Sequence, residues 1–194
     1  MGTRHLIMVQ QDNGIKVAQY GQWDGYPEGQ GATLLLFCKK HLNDLIKALP
    51  KVTYLTDAEH NSFVKDMHNK VTKALIYNHN FISRDLSVNV LHSIIESDLN
   101  IIKLYNDFAF GYDSLMCEWA YCINLDTRQL EVYKGFNETP LDITERFYKS
   151  TPVYTDRDED YYGVKLLTTF DLDNLPTEET FINTIRSLEN ERTM

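Results

Sequence analysis

The chain has 194 residues, of which 43% are hydrophobic and 24% charged, with a formal net charge of −9. This is globular composition, and the longest unbroken apolar runs, such as Leu34 to Cys38, are far short of a membrane span, so a disordered chain and a membrane-spanning helix are not expected. The acidic balance disfavours a direct nucleic-acid binder, which needs clustered Lys and Arg to neutralise phosphate, and permits an acidic surface that occupies a basic groove on another protein.

In chain order, His5 to Val9 reads as a strand, Asp12-Asn13-Gly14 as a turn with Gly14 supplying the positive φ, and Ile15 to Tyr20 as the returning strand. Gly21 to Gly31 holds Gly21, Gly25, Pro27, Gly29 and Gly31, a density of breakers that predicts a loop. Thr33 to Leu49 is predicted helical: Leu35, Cys38, Leu42, Leu45, Ile46 and Leu49 recur at three-and-four spacing, and Pro50 ends the run. Thr56 and Glu59 form a capping box that opens a second helix with a Phe63, Val64, Met67, Val71 and Leu75 stripe. A third helix is expected over Leu86 to Ser97, with Val90, Leu91, Ile94 and Ile95 inward.

Ile101 to Phe110 reads as mostly extended. Glu118 to Leu125 and Leu130 to Tyr133 are two strands joined around Asp126-Thr127-Arg128. Tyr148 to Tyr162 is a polar, acidic connector, and Val164 to Leu172 a further strand. The last helix opens at Thr177, with Glu178 and Glu179 placed to complement its dipole and Phe181, Ile182, Ile185 and Leu188 inward. The fold class is α+β: helices packed on a mostly antiparallel sheet built from the N-terminal and central hairpins, in one globular domain over residues 1–194.

The three cysteines, Cys38, Cys117 and Cys122, include no CxxC pair, and buried reduced thiols account for Cys38 and Cys122. The N-terminus lacks the apolar stretch of a signal peptide, and Leu6 stands where a myristoylation signal needs Ser or Thr, so a cytoplasmic location is expected. His41, His60, His68, His79 and His92 are scattered without a metal-ligand spacing, so no metal is expected, and no cofactor. Ser83-Arg84-Asp85 reads as a helix entry whose arginine is more simply a salt-bridge partner than an anion site.

The segment richest in chemistry is Gln19 to Gly31, with three aromatics, two carboxylates, three amides and four glycines just before a helix. It is neither a phosphate-binding P-loop nor a dinucleotide-binding turn. Two readings stand beside each other: a contact surface, or a rigid structural loop with Trp23 lidding the core and Asp24 paired internally. The candidate partner- or ligand-binding residues are Arg4, Tyr20, Gln22, Trp23, Asp24, Tyr26 and Glu28, with Arg4 expected near Asp24 through the hairpin. A secondary candidate surface is Asp156, Asp158, Glu159, Asp160, Tyr161 and Tyr162, which lacks the Gly and terminal Glu of a calcium loop but offers tyrosines suited to an interface.

Gly2-Thr3-Arg4 together with Tyr20-Gly21-Gln22-Trp23-Asp24-Gly25-Tyr26-Pro27-Glu28-Gly29 resembles a family of short proteins found chiefly in bacteriophages and prophages. The likeness is specific over roughly the first thirty residues and faint beyond them. It brings no activity and no catalytic residue. What it implies is an accessory phage protein, a class in which inhibitors of bacterial defence are frequent. A weaker resemblance, of topology, is to the start of N-terminal-nucleophile hydrolases, but removing Met1 would expose Gly2, which has no nucleophile, and Thr3 would serve only after a further cleavage.

The expected function is therefore that of a phage-type accessory protein acting by binding, as an anti-CRISPR-like or other counter-defence inhibitor in the host cytoplasm. Its expected partner is a host protein, such as a nucleic-acid-handling effector, or a small anionic ligand; neither nucleic acid nor a membrane is expected to bind directly. The alternative is a small hydrolase or nucleotide-handling protein with its pocket at the Tyr20–Gly31 loop.

Overall fold

The computed structural model describes residues 2–59, 86–156 and 159–192. Its centre is a five-stranded sheet in the order β2-β1-β5-β6-β9, made of β1 (His5–Gln11), β2 (Gly14–Gly21), β5 (Trp119–Asn124), β6 (Gln129–Lys134) and β9 (Lys165–Asp171). Three of its pairings are antiparallel; β1 and β5, which join the two hairpins, run parallel with His5 opposite Trp119 and Val9 opposite Ile123. The chain is thus α+β on a mostly antiparallel sheet. Two small sheets stand apart, β3 (Val52–Tyr54) parallel to β4 (Ile102–Leu104), and β7 (Tyr154–Asp156) antiparallel to β8 (Glu159–Tyr161).

Alternation sorts the central strands onto two faces, because successive side chains of a strand point opposite ways. Ile7, Val9, Val17, Trp119, Tyr121, Ile123, Leu130 and Val132 face the helices α1 (Ala32–Ala48), α2 (Asn89–Glu96) and α3 (Glu178–Arg192). Leu34, Leu35, Leu45, Leu91, Ile94, Phe181 and Ile185 are wholly buried there, and Leu42 nearly so, each contributing roughly 2 kcal/mol by removal from water. Leu6, Met8, Ala18, Ala120, Cys122 and Tyr133 face the other way, onto Phe147, Leu141 and Val164 of the long segment after β6. Both faces of the sheet are therefore covered, one by helices and one by irregular chain.

Local chemistry explains the boundaries. Pro27 opens a short wide turn over Pro27–Gly31 that runs directly into α1, so the helix begins one residue earlier than its apolar spacing predicts. The capping box is present: the Thr56 N–H donates to Glu59 Oε2 at 2.9 Å, and the Glu59 N–H donates to Thr56 Oγ1 at 3.3 Å. Thr177 Oγ1 accepts from the Thr180 N–H at 3.2 Å and caps α3. The stripe Phe63, Val64, Met67, Val71 and Leu75, the residues His60, His68 and His79, and Ser83-Arg84-Asp85 lie outside the described residues.

Three expectations are corrected. In the first hairpin turn Asp12 and Asn13 take the positive φ, both 56°, and no described glycine does. Short polar side chains tolerate that region, and Asp126, in the turn of the second hairpin, holds the bend by accepting from the Asp12 N–H at 2.8 Å and the Asn13 N–H at 2.9 Å. Ile101 to Phe110 is extended only over β4; Phe108–Tyr112 is a 3₁₀ turn whose aromatics pack under the sheet, with Phe108 stacked on Phe147 at 5.1 Å. Alternating aromatics at 108, 110 and 112 imitate a strand pattern without the pairing partner that a strand requires. The acidic connector is not loop throughout, since it contains β7 and β8.

All three cysteines are buried and free, and burial pushes the Cys38 thiol up to about 12. Among the described residues no helix is long and apolar enough to cross a membrane.

Candidate functional site

The Gln19–Gly31 loop is pinned to the centre of the molecule by its main chain. The Gly25 N–H donates to Thr3 O at 2.9 Å, the Gln30 N–H donates to Asp24 O at 2.8 Å, and the Tyr121 hydroxyl donates to Gly25 O at 2.9 Å. Glycine is required where these strands of chain meet: a methyl on Gly29 would overlap the Asp24 carbonyl, and one on Gly21 or Gly25 would run into the His5 ring or its Cβ. Asp24 itself sits at φ 56°, a left-handed conformation that turns the chain so that its carboxylate and the Trp23 ring point outward.

On this fixed backbone Trp23, Asp24, Tyr26 and Glu28 are exposed in near-alternation with buried Gly25 and Pro27. Trp23 is 53% exposed, so it is not a lid on the core. Its ring lies against the chain start, where a side chain on Gly2 would overlap it. The Tyr26 hydroxyl donates to Asp24 Oδ1 at 3.4 Å, and the Asp24 charge beside it raises the phenol's pKa. Glu28 receives Arg186 of α3 through two bonds of 2.7 and 2.6 Å, and this pairing holds its carboxyl below the usual range. Tyr20 turns inward, its hydroxyl on Gln22 Oε1 at 2.5 Å and its ring edge-on to Phe110 at 4.8 Å.

Arg4 does not reach Asp24. Its backbone N–H donates to Glu118 Oε1 at 3.2 Å and its Nε lies 3.5 Å from the same atom, so the arginine serves the β1–β5 junction. The reason is direction: Arg4 precedes the parallel pairing with β5, and Glu118 immediately precedes β5. Thr3 contributes its carbonyl to the Gly25 N–H, a role of the main chain.

The secondary surface is divided. Asp160 is exposed, Tyr162 is half-buried and Tyr161 is buried at 8% exposure, so Tyr161 is a core residue and not an interface tyrosine. Asp158 lies outside the described residues, and Asp156 and Glu159 take extended backbone in β7 and β8.

Two features escape the sequence pattern. His5, at the start of β1, is fully buried between Gly21 and Gly25; its Nε2 has no hydrogen-bond partner among the described residues, and burial lowers its pKa from 6.5 to about 4. On the opposite face, Glu131 takes the Arg146 guanidinium at 2.7 Å, the Tyr133 hydroxyl at 2.5 Å and the Asn124 amide at 2.7 Å; Arg146 also donates to Tyr133 at 2.8 Å and to Gln10. A cleft of about 400 Å³ opens beside this network, lined also by Thr144, Glu145, Val164 and Leu166. Nothing in the spacing of Gln10, Glu131 and Arg146 signals that they meet.

His41 and His92 do approach each other, ring centroids 5.3 Å apart with Phe37 against both, but among the described residues no group of three metal-ligating side chains stands together. Compared with protein-family models, curated proteins and solved structures, the chain matches none.

Proposed function

We propose that this chain acts by binding another protein through the Trp23–Glu28 face, as a bacteriophage-type accessory protein that blocks a host effector. The observation that carries the reading is a tryptophan held 53% exposed on a backbone tied to Thr3, to Tyr121 and across its own loop. An exposed indole adds nothing to the core, whereas a preorganised aromatic anchor lowers the ordering cost of association. The exposed Asp24 carboxylate beside it suits a basic partner, and the net charge of −9 would steer such a partner inward. A nucleic-acid-handling protein of the host has the required basic surface, and the resemblance of the first thirty residues to phage proteins supports a bacterial host.

The experiment is capture from bacterial lysate by the immobilised full chain, beside Trp23→Ala. The proposal expects one stoichiometric partner held by the wild type, weakened by added salt and lost from the variant, with the variant's unfolding midpoint unchanged. Equal capture by both chains would remove the face as the contact surface.

A further inference from the structure

We propose a second binding site, for a small aromatic anion, in a cleft of about 600 Å³ lined by Lys134, Lys165, Phe136, Asn137, Glu138 and Glu189. Its size is that of a small-molecule site, and two departures from ordinary folding rules converge on it.

The first is Phe136, with φ at 53°. A bulky residue in the left-handed region is a true outlier, where Gly or Asn would sit without strain. The conformation is imposed from both sides: the Gly135 N–H donates to Glu118 O at 2.9 Å, the Phe136 N–H to Ser114 O at 2.7 Å and the Asn137 N–H to Ser114 Oγ at 2.9 Å. Burial does not offset it, because the ring is 49% exposed. Strain held this firmly is a mark of a ligand clamp or a site.

The second is charge. Lys134 and Lys165 stand directly opposite each other on β6 and β9, an arrangement of like charges that weakens a sheet. The Lys134 ammonium lies 3.0 Å from Glu189 and 4.1 Å above the Trp119 ring. Lys165 is half-buried and has no ion-pair partner among the described residues. Glu189 is engaged by Lys134 and by Arg186 at 2.6 Å, and Glu138 is exposed at the rim.

A phosphate or carboxylate received by the Lys165 ammonium supplies the counter-charge that Glu189 already gives Lys134, and a flat ring attached to it stacks on Phe136, whose ring centroid lies 5.8 Å from the Lys134 ammonium. Glu138 is placed to accept from an amino or hydroxyl edge of such a ring. One ligand thus answers both the exposed, left-handed Phe136 and the Lys165 charge that no described carboxylate pairs.

The test is titration of the full chain, followed by NMR, with adenosine monophosphate, phenyl phosphate, benzoate and inorganic phosphate. The proposal expects an aromatic anion to shift the resonances of Phe136 and Lys165 and to bind more tightly than inorganic phosphate. Comparison of phenyl phosphate with benzoate identifies the preferred anionic group. Lys165→Gln should weaken binding about tenfold, the loss of one charge-assisted contact. Phe136→Gly should weaken it while the unfolding midpoint stays level or rises, because strain is relieved. The proposal is overturned if no aromatic anion binds at millimolar concentration, if inorganic phosphate binds as well as the aromatic probes, or if Phe136→Gly lowers the midpoint as loss of a buried phenylalanine would.

Discussion

Tyr121, on the middle strand of the sheet, donates its phenolic proton to the carbonyl of Gly25 at 2.9 Å and so ties the core to the exposed loop. Both residues are buried, so water cannot replace the bond. Tyr121→Phe leaves the carbonyl unsatisfied and should lower stability by about 1–2 kcal/mol. Urea denaturation measures this, and partner capture by the same variant should fall with it. An unchanged midpoint would show that the loop is held without Tyr121.

Asp24 carries both a charge and a left-handed backbone, so its substitutions separate the two roles. Asp24→Ala should cost about 1 kcal/mol through the backbone alone, since alanine lacks the short polar side chain that lets aspartate tolerate positive φ. Asp24→Asn keeps the conformation and removes the charge, and is expected to fold as the wild type does while binding a basic partner more weakly and with a shallower salt dependence. Full binding by a stable Asp24→Asn chain would shift the contact to Trp23 and Tyr26 alone.

His5 predicts an acid limb of stability. In the folded chain burial holds its pKa near 4, against 6.5 for an ordinary imidazole, so the unfolded chain takes up the proton first. The contribution is complete above pH 6.5, declines as the pH falls from 6.5 to about 4 and levels below that, a loss of up to about 3 kcal/mol. Chemical denaturation across that window, compared with His5→Asn, isolates the residue. The variant should lack this component of the slope, and parallel curves would exclude His5 as its source.

The Glu131–Arg146 pair, both side chains at 15% exposure or less, should behave as a buried ion pair does. Arg146→Ala strands the carboxylate and is expected to cost roughly 3–5 kcal/mol, whereas replacing the two together with Leu and Met should restore much of it. A double-mutant cycle reads the coupling directly. Additive losses would mean that Tyr133 and Asn124 suffice to satisfy Glu131.

Elements governed by local rules were legible in the sequence. The α1 and α3 faces, the Thr56–Glu59 capping box and both hairpins follow from spacing and turn chemistry, and the described residues reproduce them. What the sequence concealed depends on distant chain. Arg4 was expected to reach along its own hairpin, but the parallel junction with β5 delivers Glu118 to it instead. Glu131, between Leu130 and Val132 in an alternating strand, has the pattern of a solvent-facing residue; it is buried because the segment after β6 folds back over that face. Tyr161 carried an interface composition, yet in β8 it is buried. The exposed character of Trp23 was one of two readings open to the loop, and the glycine contacts around it decided the geometry.

The parallel pairing of β1 with β5 also sets the order of events as the chain leaves the ribosome. The β1–β2 hairpin is available after the first 21 residues, yet the second edge of β1 has no partner until Trp119–Asn124 has been made. For about a hundred residues of synthesis the sequence Leu6-Ile7-Met8-Val9, wholly buried in the finished fold, is an unpaired apolar strand edge. The loop that carries Trp23 is likewise without its Tyr121 anchor through that interval. Completion of the central hairpin is therefore the step that both silences an aggregation-prone edge and gives the Trp23 face its shape.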